Sequence, residues 1–319
     1  MTPGTMRLAA WRTWEQLAGR VGRQVRRLRL KVLASLPLAL TLIAFADMGL
    51  ATPVADDRGV VAGFAVAPQR IVSLLPALTE SVCALGHCAR LVGIDRYSNH
   101  PASVTLLPQL GGGIEPHIEA IVRLRPDLVL MAGSSRAVSR LEALGIRVFA
   151  LEPKTHADVK RMLQTLEHLL GPAQPPGPGA AQLWLEIDSG VSAAARTLPE
   201  QARGATFFFE VGRGPYAAGE SSFIGQTLAR LGAVNTVAAA LGPFPLLNPE
   251  FVVRANPDVL MFSGAATADL YPGWSAMPAV RADRICRFNA RQADIVVRPG
   301  PRMAEGARVL AACLASATR

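Results

Sequence analysis

Residues 118–131 read IEAIVRLRPDLVLM, and residues 249–262 read PEFVVRANPDVLMF. Both carry Glu, then Val-Arg, then Pro-Asp, then an apolar tail, in the same order. Glu119 and Glu250 stand 131 residues apart, as do Asp127 and Asp258. In each copy the segment before Pro-Asp has the spacing of a short helix. The proline breaks it, and the apolar run that follows has the length of a buried strand.

Working outward, RIVSL (70–74) reads as a buried strand. ALTESVCALG (77–86) reads as a helix that starts near Thr79 or Ser81 and stops at Gly86. RLVGI (90–94), LVLMA (128–132) and RVFAL (147–151) continue as strands, with a helix at SRLEALG (139–145). In the second half of the chain the same alternation returns: ATFFFEV (205–211), DVLMF (258–262) and RICRF (284–288) as strands, and a last helix from about Met303. SFIGQTLARLGAVN (222–235) stands where the first half has ALTESVCALGHCARLVG (77–93). This spacing predicts parallel sheets covered on both faces.

A Pro/Gly break, GPAQPPGPG (171–179), separates the halves. Behind it Leu183, Trp184, Ile187, Val191, Ala194, Ala195 and Leu198 fall at helical spacing. The expected fold is therefore α/β: two Rossmann-like lobes, 68–170 and 203–319, joined by a single long connecting helix at 178–199. Two lobes on a stiff connector make a cleft. Open α/β sheets bind ligands outside the carboxyl ends of their strands, and interdomain clefts suit small molecules.

The formal charge of +9 invites a nucleic-acid reading. Its location removes that reading. Eight of the 33 basic residues, and only Glu15 of the 24 acidic ones, lie before Asp47. The rest of the chain is nearly neutral. RQVRRLRLK (23–31) followed by VLASLPLALTLIAFA (32–46) has the pattern of an export signal, with small residues at Ala44 and Ala46. Residues 1–51 are read as that signal and a short linker, cut after Ala46 or Ala51, which places the protein in the periplasm. The apolar run is short for a membrane span, which needs roughly 20 residues. Arg26-Arg27 fits a twin-arginine signal poorly, because Arg29 stands where an apolar residue belongs. No Cys near the cut argues for a lipid anchor.

An oxidising compartment permits disulfides. Four cysteines allow three pairings. Cys83 and Cys88 flank a helix end, Cys286 lies in a strand-like run and Cys313 in the last helix, which favours 83–88 and 286–313. Free buried thiols, or a zinc site of Cys83, His87 and Cys88, are the alternatives. Motifs of catalysis are missing: no P-loop, no His-Glu-x-x-His, no Gly-x-Ser-x-Gly. GESS (219–222) has serines, but no His follows His168. His87, His100, His117, His156 and His168 have no metal-ligand spacing, and His156 and His168 are expected to face solvent from one helix. No catalytic or metal-binding residue is assigned.

Loops at strand ends carry aromatic, Arg and Gly residues: DRYSNHP (95–101), GRGPYAAGESS (212–222), LGPFPLLNPE (241–250) and ADIVVRPGPR (293–302). Rings supply apolar area and a few polar groups fix orientation, which suits a large planar ligand. Arg96, Arg213 and Arg298 are candidates for pairing with ligand carboxylates. His100, beside Tyr97, is a candidate ligand for cobalt or iron, against a plain loop hydrogen bond.

The series RIVSLLPALTE, LVGIDRYSNHP, IEAIVRLRPDLVL, LEALGIRVFAL, YAAGESSFIGQTLARLGAVN, PEFVVRANPDVLMF and RPGPR resembles the periplasmic binding proteins of ABC importers for vitamin B12, iron-siderophores and haem, over about residues 68–315. The resemblance implies a class III binding-protein fold, no catalysis and no resident cofactor. It implies a cobalt- or iron-containing chelate as ligand, a permease dimer as partner, and a monomer when free. Glu119 and Glu250 match the docking carboxylates of that family, where one acidic residue per lobe suits a two-fold symmetric partner. Tyr97, Tyr216, Phe244 and Asp294 match ligand contacts of its B12-binding branch. Two further positions, tryptophan in that branch, fall on Gly113 and Ala132. A rigid connecting helix implies small lobe motions.

Overall fold

The computed structural model of the chain describes residues 53–264 and 271–318. The export segment expected over 1–51 lies outside them. A two-stranded pair, β1 (Val54–Ala55) and β2 (Val61–Ala62), precedes the first lobe. That lobe holds β3 (Ile71–Ser73), β4 (Leu91–Ile94), β5 (Leu128–Met131) and β6 (Val148–Ala150), all parallel, in the order β4-β3-β5-β6. Helices α1 (Pro76–Ala84), α2 (Ile118–Leu124) and α3 (Ala137–Ala143) connect the strands, and α4 (His156–Leu170) leads out. The connecting helix α5 spans Ala180–Arg196, within the expected 178–199.

The second lobe begins at β7 (Thr206–Gly212) and β8 (Tyr216–Ala217). It continues through α6 (Phe223–Leu231), β9 (Val234–Asn235), α7 (Pro249–Ala255), β10 (Val259–Phe262), α8 (Pro278–Arg281), β11 (Ile285–Arg287), α9 (Ala290–Val297) and α10 (Met303–Ala317). Its sheet runs β11-β10-β7-β8, with β9 also on β7. This sheet is mixed, not purely parallel: β8 turns back antiparallel on β7 through a tight hairpin. Helix α1 starts at Pro76, earlier than expected, because proline is tolerated in a first helical turn. Thr79 and Ser81 are inside it and buried.

The sequence repeat has a local structural cause. Arg125 and Asn256 close α2 and α7 in the left-handed conformation, at φ 45° and 43°. The Asp that follows then ties strand to strand. Asp127 accepts the N–H groups of Gln69 and Arg70 at 2.9 Å each. Asp258 accepts the N–H and hydroxyl of Thr206 at 2.8 and 2.7 Å. The motif thus sets β5 beside β3 and β10 beside β7 in matching fashion.

Burial shows how the lobes are held. Alternate residues of β7 point to opposite faces. Phe207 and Phe209 enter a cluster that also holds Ile71, Leu163, Ile187, Val191 and Leu310, so one core runs from the first lobe through α4 and α5 into the second. Phe208 enters a separate outer cluster with Leu260, Phe262 and Trp274, and the first lobe has its own counterpart around Val72, Val129 and Ile121. Gly190 lets α5 and α10 approach closely, since a Cβ there would overlap the Ala304 methyl. Disulfides join Cys83 to Cys88 and Cys286 to Cys313. The zinc alternative therefore loses both its thiols, and His87 instead contacts the Gly171 carbonyl at 3.0 Å. Among the described residues no helix is long and apolar enough to cross a membrane.

Candidate functional site

The loop after β4 is shaped by a buried carboxylate. Asp95 is fully buried and accepts the Tyr97 N–H at 2.7 Å and the Ser98 hydroxyl at 2.6 Å. The polar chain continues from Ser98 to Thr79 (3.0 Å) and Ser73 (2.8 Å), which satisfies groups that burial would otherwise penalise. Burial pushes the Asp95 carboxyl above its ordinary range. The bonds from Ser98 and Tyr97 and the nearby Arg298 charge oppose that rise. The turn presents Tyr97 to solvent at 56 % exposure, with the Arg96 guanidinium 5.0 Å from its ring centre. His100 is exposed at the end of the same loop.

In the second lobe the β7–β8 hairpin presents Tyr216 at 45 % exposure. Phe244 is half-buried, its ring 6.2 Å from that of Phe223. Asp294 lies on α9, not on a loop as its sequence context suggests. An Asn289/Gln292 capping box starts that helix. The Asp294 carboxylate is held from both lobes: Asn99 donates to it at 2.7 Å, and Arg298 pairs with it at 2.8 Å.

Arg298 is not a free cation awaiting a ligand. It is 6 % exposed. Its guanidinium donates to Glu80 (2.9 Å), to the Asn99 side-chain oxygen (2.8 Å) and to the Tyr97 carbonyl (2.9 Å). Arg302 adds two bonds to Glu80, at 2.9 and 2.7 Å. Glu80 itself is 3 % exposed on α1. A buried carboxylate thus receives two guanidinium groups from the other lobe. Such pairs add little net stability over apolar packing, but breaking one leaves an uncompensated charge. Glu80 and Asn99 were missed in the sequence. The legible signal was a Glu within a helix whose neighbours from Ala77 to Val82 are all buried, which demands a cationic partner.

Glu119 and Glu250 both sit exposed in the first turn of their helices, α2 and α7, which precede equivalent strands. Acidic residues there are favoured by the helix dipole. Glu119 lies 3.5 Å from Arg140 in an exposed pair, and the Asn248 side chain accepts the Glu250 N–H at 3.0 Å. His117 is exposed beside Glu119. Gly113 is a close approach: a Cβ there would lie 2.5 Å from the Leu74 carbonyl oxygen, so a ring at this position requires a different backbone path. Ala132, just beyond β5, is half-buried.

One further reading changes. His156 does not face solvent. Its ring contacts the Thr227 hydroxyl at 2.8 Å and the Phe223 carbonyl at 3.1 Å, edge-on to Trp184, and burial holds its pKa below the ordinary value. His168 is exposed, as expected. In GESS, Ser222 caps α6, accepting the Gly225 N–H and donating to the Gly219 carbonyl. That is a structural task.

Against known proteins, residues 71–291 match the model of the periplasmic binding protein family. An uncharacterized ABC transporter substrate-binding lipoprotein of Bacillus subtilis, YvrC, is 28% identical over 258 residues, covering 76% of this chain and 79% of the relative. The vitamin B12-binding protein of Vibrio cholerae is 26% identical over 241 residues, 73% and 84% of the two chains. The crystal structure of a periplasmic heme-binding protein from Pseudomonas aeruginosa superposes with a TM-score of 0.64 at 26% identity, over 78% of this chain and 93% of that one. The chain belongs to the periplasmic binding protein family, with the class III fold; it is a substrate-binding protein of ABC-importer type and not an enzyme.

Proposed function

We propose that this member of the periplasmic binding protein family is exported by its first 51 residues, captures a corrinoid between its lobes, and delivers it to an importer permease through Glu119 and Glu250. The observation that carries the ligand reading is the pair of exposed rings on strand-end loops of different lobes, Tyr97 and Tyr216, with Asp294 fixed at the lobe junction by Asn99 and Arg298. Two large rings supply roughly 150–250 Å² of apolar contact each, and a fixed carboxylate orients a polar rim. The B12-binding relative supports the corrinoid choice.

A second reading, haem or a ferric siderophore, is favoured by exposed His100 on the Tyr97 loop and by the missing rings at Gly113 and Ala132. Tryptophan quenching with cyanocobalamin, haemin and a ferric hydroxamate separates the two. Saturable one-to-one binding of cyanocobalamin alone supports the corrinoid. Binding of haemin or the hydroxamate alone overturns it.

A further inference from the structure

Glu210 is the fourth residue after Thr206 on β7, on the face that carries Phe208, at the carboxyl end of the strand. It is 6 % exposed. Its Oε1 accepts the Tyr271 hydroxyl at 3.2 Å, and the Tyr271 oxygen accepts the Gly214 N–H at 2.8 Å. Its Oε2 is buried and has no partner. Leaving a carboxylate oxygen unpaired in the interior is costly, and an apolar side chain would simply extend the outer cluster of Phe208 and Phe262. Burial accordingly raises the carboxyl's pKa, against the pull of Tyr271 and of the Arg213 charge. The fold gives this oxygen no task of its own.

It lines a cavity of about 180 Å³, with Gly212, Arg213, Phe262, Ser263 and Gly264. The Ser263 hydroxyl donates to the Val211 carbonyl at 2.9 Å, which leaves its oxygen able to accept. The cavity therefore combines two acceptors, Glu210 Oε2 and Ser263 Oγ, with an apolar wall at Phe262 and the Arg213 side chain, whose guanidinium lies 4.6 Å from the Tyr271 ring centre. It is too small for a macrocycle and of a size for one of its arms. The hairpin that borders it also carries Tyr216.

We propose that this cavity is a subsite for a primary carboxamide arm of the captured ligand. The inference rests on the cleft-binding reading and sharpens it. A carboxamide N–H pairs with ionised Glu210, and its carbonyl pairs with the protonated form. A carboxylate arm fits only the protonated form and an ammonium only the ionised one, whereas a carboxamide fits both. A corrinoid rim carries carboxamides, whereas haem carries carboxylates.

The test uses acetamide and acetate, titrated separately into isotope-labelled protein, with the amide signals of Gly212, Arg213 and Gly264 followed. Acetamide is expected to shift them, acetate is not, and Glu210→Leu is expected to abolish the response. Cyanocobalamin affinity is expected to fall by about tenfold in Glu210→Leu, the worth of a lost hydrogen bond to a charged group, and by less than about threefold in Glu210→Gln. A silent acetamide titration, an equal response to acetate, or equal cyanocobalamin affinity of the Leu variant and wild type overturns the subsite. If acetamide responds as expected and wild type does not bind cyanocobalamin, the subsite stands and the corrinoid reading falls. If cyanocobalamin binds wild type and the Leu variant alike, the subsite falls and the reading stands.

Discussion

Arg298 and Glu80 are 218 residues apart in the chain, yet they meet at 2.9 Å with both side chains buried. Removing Glu80 takes from two largely buried guanidinium groups, Arg298 and Arg302, the carboxylate they share, and leaves Arg298 only Asp294 as a charged partner. Glu80→Ala should therefore cost about 3–5 kcal/mol in chemical denaturation. An unchanged midpoint would show that the pair is not buried in solution. His156 gives a prediction for pH. Its pKa is lowered in the folded state, so the unfolded chain binds the proton more tightly. The stability it contributes is present above the ordinary value of 6.5 and is lost as pH falls through the folded value. Replacing it by Gln should flatten the loss of stability below that pH, with the remaining slope shared by His87, whose pKa is also lowered by burial. A wild-type acid profile in His156→Gln would contradict this. At this scale the sequence was least informative. Tyr97 and Asp294 could be named from their context, but the burial of Arg298 and the turn of His156 onto Thr227 depend on surfaces brought by the other lobe.

Elements were far more legible. The Pro-Asp repeat marked two equivalent strand starts because the same backbone task, a left-handed helix end followed by an Asp that ties two strands, selects the same residues twice. The connecting helix was visible in the spacing of Leu183, Ile187 and Val191, all buried. The antiparallel β8 was not, since two residues are too few to carry a period. Two predictions belong here. Gly190→Leu should destabilise by about 1–3 kcal/mol, because α5 and α10 must separate to admit the side chain; a thermal melt with no shift would place the helices farther apart. The Cys286–Cys313 bond ties β11 to α10 across 27 residues. Changing both cysteines to Ser should cost about 2–4 kcal/mol, read as a lower denaturant midpoint. An unchanged midpoint would argue that the bond does not form.

Across the whole molecule, a continuous core through α4 and α5 joins the lobes, and the Glu80 clamp fastens them again near the candidate site. Opening by a wide hinge would expose that core. Small-angle scattering should accordingly show little change in radius of gyration when ligand is added, and a marked contraction would contradict the rigid account. Glu119 and Glu250, the proposed docking carboxylates, lie in the first turns of equivalent helices of the two lobes. The double Ala variant should keep its ligand affinity and lose uptake, and normal uptake would end that assignment. Rings from both lobes are proposed to grip one large chelate. Calorimetry of wild type and of Tyr97→Ala/Tyr216→Ala with cyanocobalamin tests that grip most directly. Wild type is expected to bind one-to-one, with at least about a tenfold weaker affinity in the double variant, since each ring contributes on the order of 1 kcal/mol or more. Equal affinity of the two proteins would contradict the grip.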